Sequence, residues 1–220
     1  MVRRHLFAIA FVAASVGLMV LTAVSPSTQP ELVRRFGFAW GDLVGGQWWR
    51  LVTNVVVPPR AGLASTNLVL PGILIVLAER RWGPLRVAVT FFVGDVAATV
   101  ATLAGLRLAG ALGNGRALAD ALTRDVGASA GMCALAAGLV VTLADGRRRQ
   151  LAAGALLGCL AVEIAVHQRV FDVEHLTAAV VGMALQTSGL HWGRRVPSSS
   201  TGSNHTRMGM PGSSSGRPGR

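Results

Sequence analysis

Six stretches of this 220-residue chain are almost free of charge, and each runs about 16–20 residues: 6–24, 61–78, 87–106, 126–144, 151–166 and 175–190. A helix needs ~17–25 predominantly apolar residues to cross the hydrocarbon layer, and only helices or closed barrels satisfy their backbone groups there. The pattern therefore predicts an all-α membrane protein, a bundle of six transmembrane helices. Hydrophobic residues make up 51% of the chain and charged residues only 14%, with Gly and Ala crowding the apolar stretches. Small side chains suit membrane helices, because they let backbones approach closely. The first stretch follows Arg3 and Arg4 as a signal peptide would. Its 19 residues exceed a usual signal core and Ala23-Val24-Ser25 is a weak cleavage site, so it reads as a retained helix.

The basic residues assign sides to this bundle. All 21 are Arg, and alternating the six spans from a cytoplasmic amino terminus places 13 inside, including Arg3, Arg4, Arg80, Arg81, Arg86 and Arg147 to Arg149, against eight outside. That is the positive-inside arrangement, and it predicts an integral multi-pass protein of the cell membrane with both termini cytoplasmic. Cytoplasmic arginines beside anionic lipid account for the net charge of +11, so no nucleic-acid partner is expected. Residues 1–195 form the six-helix domain. Residues 196–220 are Ser, Gly, Pro and Arg with little apolar content, which predicts a disordered cytoplasmic tail. Residues 26–60 form the longest external connection, and Trp40, Trp48 and Trp49 mark it as a partly inserted interfacial loop. Cys133 and Cys159 both lie within spans and say nothing of a disulfide compartment.

One span opens with Gly127-Ala128-Ser129-Ala130-Gly131, another with His175. By the span count both lie at the outer face, so a hydroxyl nucleophile and a general base can meet there. Gly-x-Ser-x-Gly alone is weak: no strand precedes it as in an α/β-hydrolase, and glycines four apart often mean only close helix packing. A serine in a helix's first turn, however, has unpaired N–H groups around it and the positive dipole end beneath it, which suits an oxyanion. His175 has a plain reading as an interfacial residue. Yet Ala178, Ala179 and Gly182 follow at three, four and seven residues, a bare stripe that lets another helix approach the imidazole.

Three further segments extend the pattern: Trp49-Arg50 within Gln-Trp-Trp-Arg-Leu-Val-Thr, Asn67 in the second span, and Ala78-Glu79-Arg80-Arg81-Trp82-Gly83-Pro84-Leu85-Arg86 at that span's cytoplasmic end. In order and spacing the chain resembles the rhomboid intramembrane serine proteases over roughly residues 40–190. The resemblance implies a six-helix rhomboid-like fold and cleavage of the transmembrane segments of membrane proteins, with no cofactor or metal. It makes Ser129 the nucleophile and His175 the base, with Asn67 and the Ser129 N–H as oxyanion donors. Asp172 and Glu174 then read as rim charges, since Glu174 points about 100° from His175 on a helix. The chain departs from the family pattern at Leu63, Ala130, Cys133 and Ala178. Those departures admit an alternative, a catalytically inactive rhomboid-like protein that binds transmembrane helices.

A different chemistry uses Glu163 and His167, four apart on one helical face, with His175 as a third metal ligand. A carboxylate one turn from the surface explains Glu163 more simply. Asp95 reads as a packing partner in the cytoplasmic half of its span, and Pro71 predicts a kink in the second span.

Overall fold

Apolar segments rich in helix formers become helices, and the turns between them fall where Gly and Pro interrupt the pattern. The computed structural model describes residues 5–59, 68–143, 145–167 and 170–188, and leaves the side chains of residues 167, 170 and 171 undescribed. Asn67, Leu63 and the tail expected at 196–220 lie outside the described residues. The described chain is all-helical: α1 (Leu6–Val24), α2 (Thr28–Phe36), α3 (Trp40–Val44), α4 (Arg50–Thr53) continuing into a 3₁₀ turn (Asn54–Val56), α5 (Leu70–Trp82), α6 (Pro84–Ala111), α7 (Gly115–Leu122), α8 (Ser129–Leu143), α9 (Gly146–His167) and α10 (Val170–Thr187).

Among the described residues three helical segments are long and apolar enough to cross a membrane: Leu6–Val24, Pro84–Ala111 and Gly146–Val166. Ser129–Leu143 is apolar but shorter. The apolar stretch expected at 61–78 is described only from residue 68, and its helix runs on to Trp82. Pro71 sits in the first turn of α5, directly after a π turn at residues 68–69, and the stretch before it, on which the expected mid-span kink depends, lies outside the described residues. Gly83 turns α5 into α6 with φ +82°, a conformation open to glycine, and Pro84 starts the next helix.

Helices α6, α8 and α10 pack into the centre of the fold. Gly182 of α10 lies so close to Ala134 of α8 that a Cβ there would collide with the Ala134 backbone, and a Cβ on Gly94 of α6 would collide with the Ala134 methyl. A methyl on Gly131 would stand 2.7 Å from the Phe91 ring. Phe91 anchors an aromatic cluster with Phe7, Phe11 and Phe92 at centroid distances of 5.3 to 5.6 Å, edge-on contacts that hold α1 against α6. By contrast, only 6% of the apolar window of α9 is buried.

Side-chain bonds fix which helix ends lie together. Glu79, at the end of α5, is buried and accepts from the N–H groups of Phe7 at 2.9 Å and Ala8 at 3.2 Å, capping α1. Arg81 donates to the Thr142 carbonyl at the end of α8, and Gln186 near the end of α10 donates to Thr90 near the start of α6. That end of the fold thus gathers Arg80, Arg81, Arg86 and the arginines of residues 147–149, while α8 and α10 begin at the other. The segment expected to be an interfacial loop is three short helices and a 3₁₀ turn, with Trp48 and Trp49 exposed and Trp40 packed beneath Arg107.

Candidate functional site

The chain reaches Ser129 through a loop that is tied down at three points. Phe38 and Asp125 exchange backbone hydrogen bonds of 3.1 and 2.9 Å, Gly127 N–H donates to the Asn54 carbonyl at 3.0 Å, and Arg124 donates to the buried Asp42 carboxylate at 3.1 Å. Gly127 has φ +120° with open space around its Cα, so its backbone conformation, and not packing, demands glycine. Gly131 has the other role, contact with Phe91. The two glycines of the pentapeptide are thus explained separately.

Helix α8 begins at Ser129. Asp95 of α6 accepts from Gly131 N–H at 3.1 Å, and Met132 N–H returns to the Ala128 carbonyl. Among the described residues no acceptor meets the N–H groups of Ser129 and Ala130. The helix start therefore offers free donors and a positive dipole end beside the hydroxyl. Asp95, expected in the half of its span away from Ser129, lies alongside this first turn instead.

His175 sits in the second turn of α10. The stripe behind it packs as its small residues dictate: Ala178 and Ala179 are fully buried, Ala178 in a cluster with Ala98, Ala130 and Ala134. Ser129 and His175 line one cavity of about 760 Å³. Cys133 lies one turn below Ser129, Asp125 and Gly127 form a rim, and Met19, Pro58 and Pro71 bring apolar walls from three other segments. His175 Nε2 is buried and meets no hydrogen-bond partner among the described residues, so Ser129 Oγ is in the same cavity but unbonded to it. Catalytic hydrogen bonds are often long without substrate and tighten when it binds.

The acidic residues beside His175 are buried, which corrects their reading as rim charges: Asp172 is 8% exposed and Glu174 6%. Glu174 accepts from Thr99 Oγ1 of α6 at 2.6 Å, and its carboxyl lies close enough to that of Asp125 to act on its charge. In that loop, burial and then the neighbouring charge of Glu174 push the Asp125 carboxyl up to about 8. The sequence held this signal: Glu174, Ala178 and Gly182 recur at four-residue spacing, so the carboxylate shares the face that α6 and α8 cover. Burial follows from the stripe itself.

Of the three candidate metal ligands, Glu163 and His175 come together, while the His167 side chain lies outside the described residues. Asp172 takes the third place: one ligand atom from each of Glu163, Asp172 and His175 lies within 4.8 Å of the others. Asp172 stands one turn before His175 on the same face of α10, a spacing that points to it from sequence alone. No family model, no curated protein and no solved structure matches this chain.

Proposed function

We propose that this protein is an intramembrane serine endopeptidase of the rhomboid type, with α1, α5, α6, α8, α9 and α10 as its six membrane crossings. The observation that carries the reading is a shared cavity: Ser129, at a helix start with unclaimed N–H groups, and His175, with a buried Nε2 unpartnered among the described residues, face the same space. In this reading the arginine-rich end is cytoplasmic and the cavity lies toward the outside, as in a cell-membrane protein whose termini are both inside.

The chemistry is acyl transfer. His175 takes the Ser129 hydroxyl proton as Oγ attacks the carbonyl carbon of a peptide bond in, or beside, a substrate's transmembrane helix. The tetrahedral oxyanion rests on the Ser129 N–H, with Asn67 as the second donor that the resemblance implies. His175 returns the proton to the leaving amine, the C–N bond breaks, and water attacks the ester with His175 again as base. A substrate helix must unwind to present its carbonyl, so segments containing Gly or Pro are preferred.

Labelling of the purified protein with a fluorophosphonate tests the nucleophile. Label on the wild type but not on Ser129→Ala supports the enzyme. Ser129→Ala and His175→Ala should each abolish cleavage of a model transmembrane substrate, without additivity in the double variant and without a change in thermal unfolding. Asn67→Ala should lose about 10²–10³ in rate. The departures at Leu63, Ala130, Cys133 and Ala178 favour one other reading, an inactive relative that holds transmembrane helices without cutting them; a wild type that takes no label and cleaves no helical substrate would establish it.

A further inference from the structure

Near the junction of α9 and α10, Glu163, Asp172 and His175 bring two carboxylate oxygens and one ring nitrogen within 4.8 Å of one another. We propose that this trio is a binding site for one divalent zinc-type ion, and that the ion switches off the Ser129–His175 pair. The first half stands on the cluster alone; the second rests on the protease reading.

Donor chemistry selects the ion. A neutral imidazole with two carboxylates suits zinc and its neighbours, whereas Ca²⁺ and Mg²⁺ favour oxygen throughout. Ligand atoms ~2.0–2.2 Å from a tetrahedral zinc stand roughly 3.3–3.6 Å apart, so the trio must draw in by about an ångström. Glu163 can supply that movement, because it is an exposed side chain on the least buried of the long helices. Electrostatics favours occupancy as well. Asp172 is already buried at the border of an apolar span, so a divalent ion that binds there adds little further desolvation of that ligand.

The inhibitory consequence follows from the imidazole's single lone pair. A neutral imidazole has one nitrogen that accepts and one that donates. If zinc takes Nε2, nothing remains to accept the Ser129 proton. If zinc takes Nδ1, the proton is driven to Nε2, which then donates and cannot accept. Either geometry disables the base without moving a helix.

The test uses the full chain in detergent micelles, with zinc chloride titrated calorimetrically. Wild type and Ser129→Ala should bind one zinc per chain alike, while Glu163→Gln and Asp172→Asn should each bind at least ~10-fold more weakly. Zinc should block fluorophosphonate labelling of Ser129, a chelator should restore it, and Glu163→Gln should label at the wild-type rate yet resist zinc. No stoichiometric binding, or binding that both substitutions leave unchanged, overturns the site. Zinc binding through these residues on a protein whose Ser129 never labels keeps the site but removes the switch and the protease reading together. Ser129-dependent labelling indifferent to bound zinc overturns the switch and leaves the protease standing.

Discussion

Helices α8 and α9 are consecutive and both crowded with Gly and Ala, yet they meet their surroundings in opposite ways. On α8, and on the α6 and α10 faces against it, glycines are points of contact: Gly94, Gly131, Gly138 and Gly182 each have a neighbour closer than a Cβ would tolerate. On α9, Gly154 and Gly158 have nothing within 4 Å. The same residue type thus marks the tightest interface and the loosest helix in one molecule. Composition announces that helices can approach closely; only the register of the small residues says where they do. The acidic residues divide in the same way. Glu174, on the packed side, is buried against Thr99 and Asp125, whereas Glu163 of α9 is exposed.

The largest expected effect breaks the tight side. Gly182→Val forces a branched side chain into the Ala134 backbone and should destabilise by at least ~3 kcal/mol, beyond ordinary overpacking because the obstacle is main chain. Thermal unfolding in detergent would read it, with Gly158→Val as the control expected to stay within ~0.5 kcal/mol. Similar losses from both would show that α9 is packed as tightly as α8.

A smaller effect sharpens the division of charge. The Asp125 carboxyl sits at about 8, above its ordinary value of ~3.9, so the fold favours the protonated form. Stability from this group is fully present below the ordinary value and drains away as pH rises toward 8. The melting temperature should therefore fall from pH 4 to pH 8 and level off above it, and Asp125→Asn should flatten that slope. A slope untouched by the substitution would place the titration elsewhere.

The smallest effect is a gain on the loose side. Gly154→Ala adds a methyl to open space in a helix interior and should stabilise by about 0.5–1 kcal/mol. A loss there would reveal a neighbour that the isolated chain does not include.

Much of this was legible in the residues. The apolar stretches announced the long helices, and Ser129 opens its helix where the glycine pattern placed it. The stripe of Ala178, Ala179 and Gly182 packs as a bare helical face should. What misled was reasoning from one residue's angle to another. Glu174 does point away from His175, but that direction leads into α6, not to water, because partners come from segments some 75 residues distant. Asp95 is a packing partner as its position in a span implies, but its expected depth missed for a related reason: position along a span says nothing of which neighbouring helix starts beside it. Three-dimensional proximity to a helix terminus is a tertiary fact that spacing within one helix does not carry.

The three ties on the loop before Ser129 also set a schedule. Asp42 and Arg124 are 82 residues apart, and Phe38 and Asn54 are likewise made long before the partners they hold. At a synthesis rate of ~5–20 residues per second, residues 38–54 wait on the order of 4–16 seconds for residues 124–127 to emerge. His175 follows later still. The candidate nucleophile is therefore oriented only after most of the chain has been made, so a nascent protein would pass most of its synthesis with its chemistry still unassembled.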